Sequence, residues 1–153
     1  MRQLFVLLIC FFLMAAACKK AVKKDIVPSI VYTGLSPDKV ASGSSKDTVS
    51  IRFTVTDADG DISGGTGEDV FLKDSRSTTG EEIKLQMPII PTDAVKTDEG
   101  IHAFVTIRVY ASLFLLLRPD RPNGDTLTYE IYVKDRAGNK SNVINTQRIF
   151  ITP

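Results

Sequence analysis

Val49-Ser-Ile-Arg-Phe-Thr-Val-Thr56 alternates without a break: Val49, Ile51, Phe53 and Val55 are apolar, and Ser50, Arg52, Thr54 and Thr56 between them are polar. Successive side chains of a strand point to opposite faces, so this octet can cover a core with one face and meet water with the other. The same period returns in Leu127, Tyr129, Ile131 and Val133, set against Thr128, Glu130, Tyr132 and Lys134. It returns again where Ile101, Ala103, Val105, Ile107 and Val109 oppose His102, Phe104, Thr106, Arg108 and Tyr110. All three runs favour strands over helices. Ile30 to Thr33, Val70 to Leu72, Ile83 to Met87 and Ile144 to Ile151 are shorter candidates, with Gly, Pro, Asn and Asp clusters between them. The pattern predicts an all-β domain over residues 29–153, a two-sheet antiparallel sandwich of about seven strands.

Composition agrees with one ordinary domain. The chain has 153 residues, 43% apolar and 24% charged. Its 19 basic and 18 acidic residues make no broad field of one sign, which argues against a nucleic-acid partner. Leu113 to Leu117 is a continuous apolar run that cannot all face one side of a strand; a buried turn, a short helix or an exposed patch would accommodate it, and burial is the expectation.

The first residues carry a different signal. Arg2 precedes an apolar run from Leu4 to Met14, and Ala15, Ala16, Ala17 and Cys18 follow. An uncharged stretch of about 16 residues spans only about 24 Å as a helix, short of a ~30 Å hydrocarbon core. Residues 1–17 are therefore expected to be a secretory signal peptide. Ala15-Ala-Ala-Cys18 resembles a bacterial lipobox, and the resemblance implies cleavage before Cys18 and lipidation of its thiol. Several acyl chains anchor far more firmly than one, at about 0.8 kcal/mol per buried methylene. Residues 18–28, with Lys19, Lys20, Lys23 and Lys24, read as a basic tether. Lipoproteins of Gram-negative bacteria with Asp after the lipidated Cys stay in the inner membrane, so Lys19 at that place implies the outer membrane. No cysteine follows Cys18, so the exported domain has no disulfide and depends on its apolar core.

Tyr129-Glu-Ile-Tyr-Val-Lys-Asp135-Arg-Ala-Gly-Asn139-Lys-Ser-Asn142 resembles the last hairpin of immunoglobulin-like and fibronectin-like domains of bacterial surface proteins. In its turn Asp135 can cap the bend while Gly138 and Asn139 tolerate positive φ. Together with Asp57-Ala-Asp-Gly-Asp61, the chain resembles a family of small immunoglobulin-like lipoproteins of Gram-negative bacteria. The resemblance implies a sandwich over residues 29–153 and no particular activity.

Asp57, Asp59 and Asp61 stand on alternate residues about Gly60, where a bend can converge their oxygens on a hard cation such as calcium. Counted as a twelve-residue calcium loop, Asp57, Asp59, Asp61 and Glu68 fall at positions one, three, five and twelve, but Ile62 stands where that loop needs Gly. Asp135 could add a ligand if its turn lies at the same end. The same carboxylates can instead cap turns in a polar connection. Catalytic patterns are missing: there is no G-x-S-x-G elbow, H-E-x-x-H helix or phosphate loop, and His102 is the sole histidine, expected on the sheet surface. Arg118 to Asp125 is a turn-rich loop that can serve as a crossover between sheets or edge a patch with two arginines. The Ile83 to Pro91 segment, containing Met87-Pro-Ile-Ile-Pro91, is expected at a sheet edge.

The sequence thus predicts a membrane-anchored, non-catalytic binding or accessory module whose partner is an unidentified protein or glycan. The alternatives are a carbohydrate-active hydrolase with a carboxylate pair that the sequence does not reveal, and a purely structural, calcium-stabilised envelope domain.

Overall fold

Strand β3 (Thr48–Asp57) carries out the alternation of its sequence, burying Val49, Ile51, Phe53 and Val55 completely while Arg52 and Thr56 face solvent. The structure, a computed structural model, describes residues 26–64, 67–89, 96–97 and 100–153, with only the backbone of 96 and 97. The signal peptide, Cys18 and most of the tether therefore lie outside the described residues, as does Pro91. On one side β3 pairs with β1 (Ser29–Ser36) and on the other with β7 (Gly100–Tyr110), both antiparallel. With β6 (Lys96–Thr97) beside β7, this sheet has the order β1-β3-β7-β6.

The facing layer is built from two shorter sheets. One contains β4 (Val70–Asp74), β5 (Glu82–Leu85), β9 (Tyr129–Val133) and β10 (Ile144–Asn145) in the order β10-β9-β4-β5. The other contains β2 (Lys39–Ala41), β8 (Asp125–Leu127) and β11 (Ile149–Thr152) in the order β2-β11-β8. Thr128 alone separates β8 from β9, and side-chain oxygens fill the break in the ladder. Ser75 Oγ accepts the Thr128 amide at 3.0 Å, and Thr146 Oγ1 accepts the Tyr129 amide at 2.9 Å. Serving backbone groups in this way lets a strand bend without orphaned donors. The described residues form eleven strand segments where the sequence predicts about seven: the Leu127–Val133 and Ile144–Ile151 runs each divide in two, and β2 and β6 are added.

The two layers make a β-sandwich of immunoglobulin-like kind, as expected, with one departure from a purely antiparallel design: β2 runs parallel to β11. The first part of the chain thus serves both layers, β1 in one and β2 in the other. Asn142 ties them again, accepting the Ile30 amide and donating to the Ile30 carbonyl, each at 2.8 Å. A single core lies between, with Phe53, Ile51, Leu72, Leu127, Tyr129, Ile131 and Ile149 among its fully buried members. Each such side chain contributes roughly 1.5–3 kcal/mol of burial.

The Leu113–Leu117 run divides. A one-turn helix, α1 (Ala111–Phe114), begins it; Leu115 is buried, Phe114 and Leu117 pack partly against the core, and Leu113 and Leu116 are exposed. Beyond β5, an edge strand as expected, Met87 is buried and its amide bonds to the Asp69 carboxylate. The turn after β9 also differs in one detail. Asp135 caps it through both oxygens, accepting the Asn139 amide at 2.7 Å and the Asn139 side-chain amide at 2.8 Å. Gly138 takes the positive φ, and Asn139 does not share it.

Candidate functional site

Asp57 continues the inward-facing series of β3, so the register that buries Val55 also buries a carboxylate, at 1% exposure. Its Oδ2 accepts the amides of Asp61 at 2.8 Å and Ile62 at 3.0 Å, folding the chain back over it. Gly60, with φ of 76°, makes the bend, and the buried Ile62 side chain holds the loop down. Asp61 then reaches the turn after β9: its carbonyl accepts the Arg136 amide at 3.3 Å and its Oδ2 the Ala137 amide at 3.2 Å. Asp59 is exposed. One carboxylate oxygen from each of Asp57, Asp59 and Asp61 lies within 4.8 Å of the others, so the structure gathers the three aspartates singled out by spacing.

The remaining oxygen of Asp57 and that of Asp61, both Oδ1, are buried and accept no hydrogen bond. Burial, followed by the charges of Asp59 and Asp61, pushes the Asp57 carboxyl up to about 6. Asp61 is raised too, by burial first and then by Asp135 and Asp59. Asp135 thus lies at the same end, although Asn139 occupies both its oxygens. Glu68 is not brought to the trio; it is exposed and pairs with Lys84 of β5 at 3.4 Å. The chain past Ile62 leads to β4, an inner strand of the second layer between β9 and β5, instead of closing a twelve-residue loop, which carries Glu68 away.

A second candidate surface is the outer face of β1, β3 and β7. Register places Val31, Thr54 and Phe104 in one row across the three strands. Val31 is 60% exposed and Phe104 82%. Arg52 lies opposite Thr106 and Ser50 opposite Arg108, so the two arginines are diagonal neighbours, with side chains roughly 7–8 Å apart at their bases. No residue pointing outward from these three strands is acidic, and among the described residues neither arginine has an ion-pair partner. His102 sits on this face as expected, bonded to Thr56 at 3.1 Å and edge-on to the Phe104 ring at 6.1 Å.

The opposite outer face treats its aromatics differently. Phe71 and Tyr132 stack at 4.8 Å, Lys134 lies over Phe71 at 5.0 Å and Lys140 over Tyr132 at 3.7 Å. Their rings are covered by neighbouring cations, whereas Phe104 has only the edge-on His102 ring beside it among the described aromatic contacts and stays largely exposed.

Spacing gave no hint of a third cluster at the far ends of β4 and β8. Arg76 binds Asp74 through two nitrogens, the shorter contact being 2.7 Å, and reaches Asp125 at 3.1 Å and the Leu116 carbonyl at 2.9 Å. Arg118 donates to the same Asp125 oxygen, Oδ2, at 2.9 Å and to Oδ1 at 3.2 Å, closing the Arg118–Asp125 loop on itself. This loop is therefore a crossover that spends its first arginine internally. The cluster borders a shallow cleft of about 470 Å³ that also includes Glu82, whose carboxylate accepts the Tyr132 hydroxyl.

No protein-family model and no curated protein matches this chain. Among solved structures it is similar to a Niemann-Pick type C2 protein from Japanese carpenter ant, at 10% identity over 81% of this chain and 89% of that one, with a TM-score of 0.41.

Proposed function

We propose that this chain is a cell-envelope lipoprotein, anchored through Cys18, whose sandwich acts as a non-catalytic binding module. Its docking surface is the outer face of β1, β3 and β7, and its ligand is an acidic glycan. The observation that carries this reading is Phe104, a bare ring in the middle of a strand beside two arginines without acidic partners. A flat face of this kind suits an extended polymer better than a small molecule, which needs a concave site. Ser50, Thr54, Thr56 and Thr106 line the same face with hydroxyls that can meet sugar hydroxyls, the ring offers a stacking surface, and the arginines pair with carboxylates.

Two measurements test the two halves. Full-length protein is expected in the membrane fraction and the Cys18→Ala variant in the soluble fraction; tight membrane retention of that variant overturns the anchor. Binding to alginate, a carboxylated polysaccharide, is expected to weaken with salt and to fall at least about tenfold in Phe104→Ser and Arg52→Glu. Equal binding to neutral dextran, or unchanged binding by both variants, overturns the glycan reading. Binding to anionic vesicles in place of alginate makes the face a membrane contact and also overturns it.

A further inference from the structure

We propose that Asp57, Asp59 and Asp61 hold a calcium ion that clasps the β3–β4 connection to the turn after β9. Two independent observations point to it. One oxygen from each of the three carboxylates falls within a 4.8 Å span. Separately, the Oδ1 atoms of Asp57 and Asp61 are buried with no hydrogen-bond partner, Asp57 being 99% removed from solvent, and among the described residues no lysine or arginine forms an ion pair with any of the three. A buried, unpaired carboxylate oxygen is costly, and a cation is the partner that satisfies several at once.

The chemistry selects the ion. Among the described residues the gathered ligands are all oxygens, with no histidine or cysteine in the group, which disfavours zinc and the other transition metals. Calcium accepts oxygens at roughly 2.3–2.6 Å in a flexible geometry, whereas magnesium demands a near-ideal octahedron and gives up its waters reluctantly, so a set of carboxylates gathered by one bend of the chain suits calcium better. The position gives the ion a mechanical role. Asp61 already receives the Arg136 and Ala137 amides, so an ion on Asp61 fixes the connection leaving one layer to a turn of the other. The chain also enters the domain here, where the Asn139 side chain meets the Ile26 carbonyl at 3.5 Å.

This inference is independent of the docking face, and its test leaves that face untouched. Thermal melts of the full chain are compared in EDTA, in calcium chloride and in magnesium chloride. Calcium is expected to raise the midpoint by roughly 5 °C or more, saturably. Asp59→Asn, at an exposed position, should fold normally in EDTA and lose the response. Asp57→Asn should lose the response while melting no lower than wild type in EDTA, because it removes a buried charge. An unchanged wild-type midpoint, a full calcium response in Asp59→Asn, or an equal response to magnesium overturns the proposal.

Discussion

Arg76 meets Asp125 at 3.1 Å although 49 residues separate them, and both side chains are largely buried, at 11% and 4% exposure. The pair joins the end of β4 to the start of β8. Arg76 also neutralises Asp74, so removing it leaves that carboxylate without its cation and Asp125 with Arg118 alone. Breaking a buried pair from one side commonly costs 3–5 kcal/mol, so Arg76→Met is expected to lose about 3 kcal/mol in urea unfolding. Arg118 is far more exposed, and Arg118→Ala should destabilise the domain much less than Arg76→Met in the same assay.

Asp125 also sets an acid limit. Arg118 foremost, then the Thr126 amide and Arg76, hold its carboxyl down to about 2 against the opposing effect of burial. A depressed carboxyl favours the folded state above its unfolded value near 3.8, and that contribution disappears as pH falls through the interval from 3.8 to about 2. Unfolding free energy measured across this interval should therefore decline with acidification. In Asp125→Asn, less stable at neutral pH, the decline should be shallower.

Gly100 begins β7 in close contact with the end of β3. Its φ is +106°, and a Cβ there would run into the Asp57 carbonyl and the backbone of Ala58. Neither obstacle is a movable side-chain tip. Gly100→Ala is expected to cost about 3 kcal/mol or more, read by chemical denaturation, and to blunt any calcium response by displacing Asp57.

Tyr129 presents the reverse case. Its hydroxyl is buried and without a partner, and the side chain is wholly enclosed. Leaving a polar group unsatisfied costs roughly 1–3 kcal/mol, so Tyr129→Phe should stabilise the domain, by about 1 kcal/mol in the same assay. A loss of stability would show that the hydroxyl is satisfied in solution.

The strands were legible because one face of each is buried and the period-two pattern records it, from Val49 to Val55 and from Ile101 to Val109. Three of the four acidic residues were legible for a related reason, since Asp57, Asp59 and Asp61 are close along the chain and one bend at Gly60 suffices to gather them. Glu68 was misleading because its placement depends on where the chain goes after Ile62, which spacing does not record. The Arg76 cluster was invisible: Asp74 and Arg76 are ordinary in sequence, and only tertiary folding brings Asp125 and Arg118 to them. The bare Phe104 was visible as an outward-facing residue, but its contrast with the covered Phe71 and Tyr132 required knowing which lysines lie over which rings.

The pairing of β1 with β3 has a further consequence for a domain held by its N-terminal side. With the proposed anchor at Cys18, a pull on the chain before Ser29, directed along the strand, loads seven registered residue pairs in shear, from Ser29 with Thr56 to Ser36 with Ser50. Asn142 grips Ile30 near the point of entry, so part of that load passes at once into the other layer. The geometry resists tearing by sharing force among many bonds, where a hairpin peeled from its end would yield them one by one.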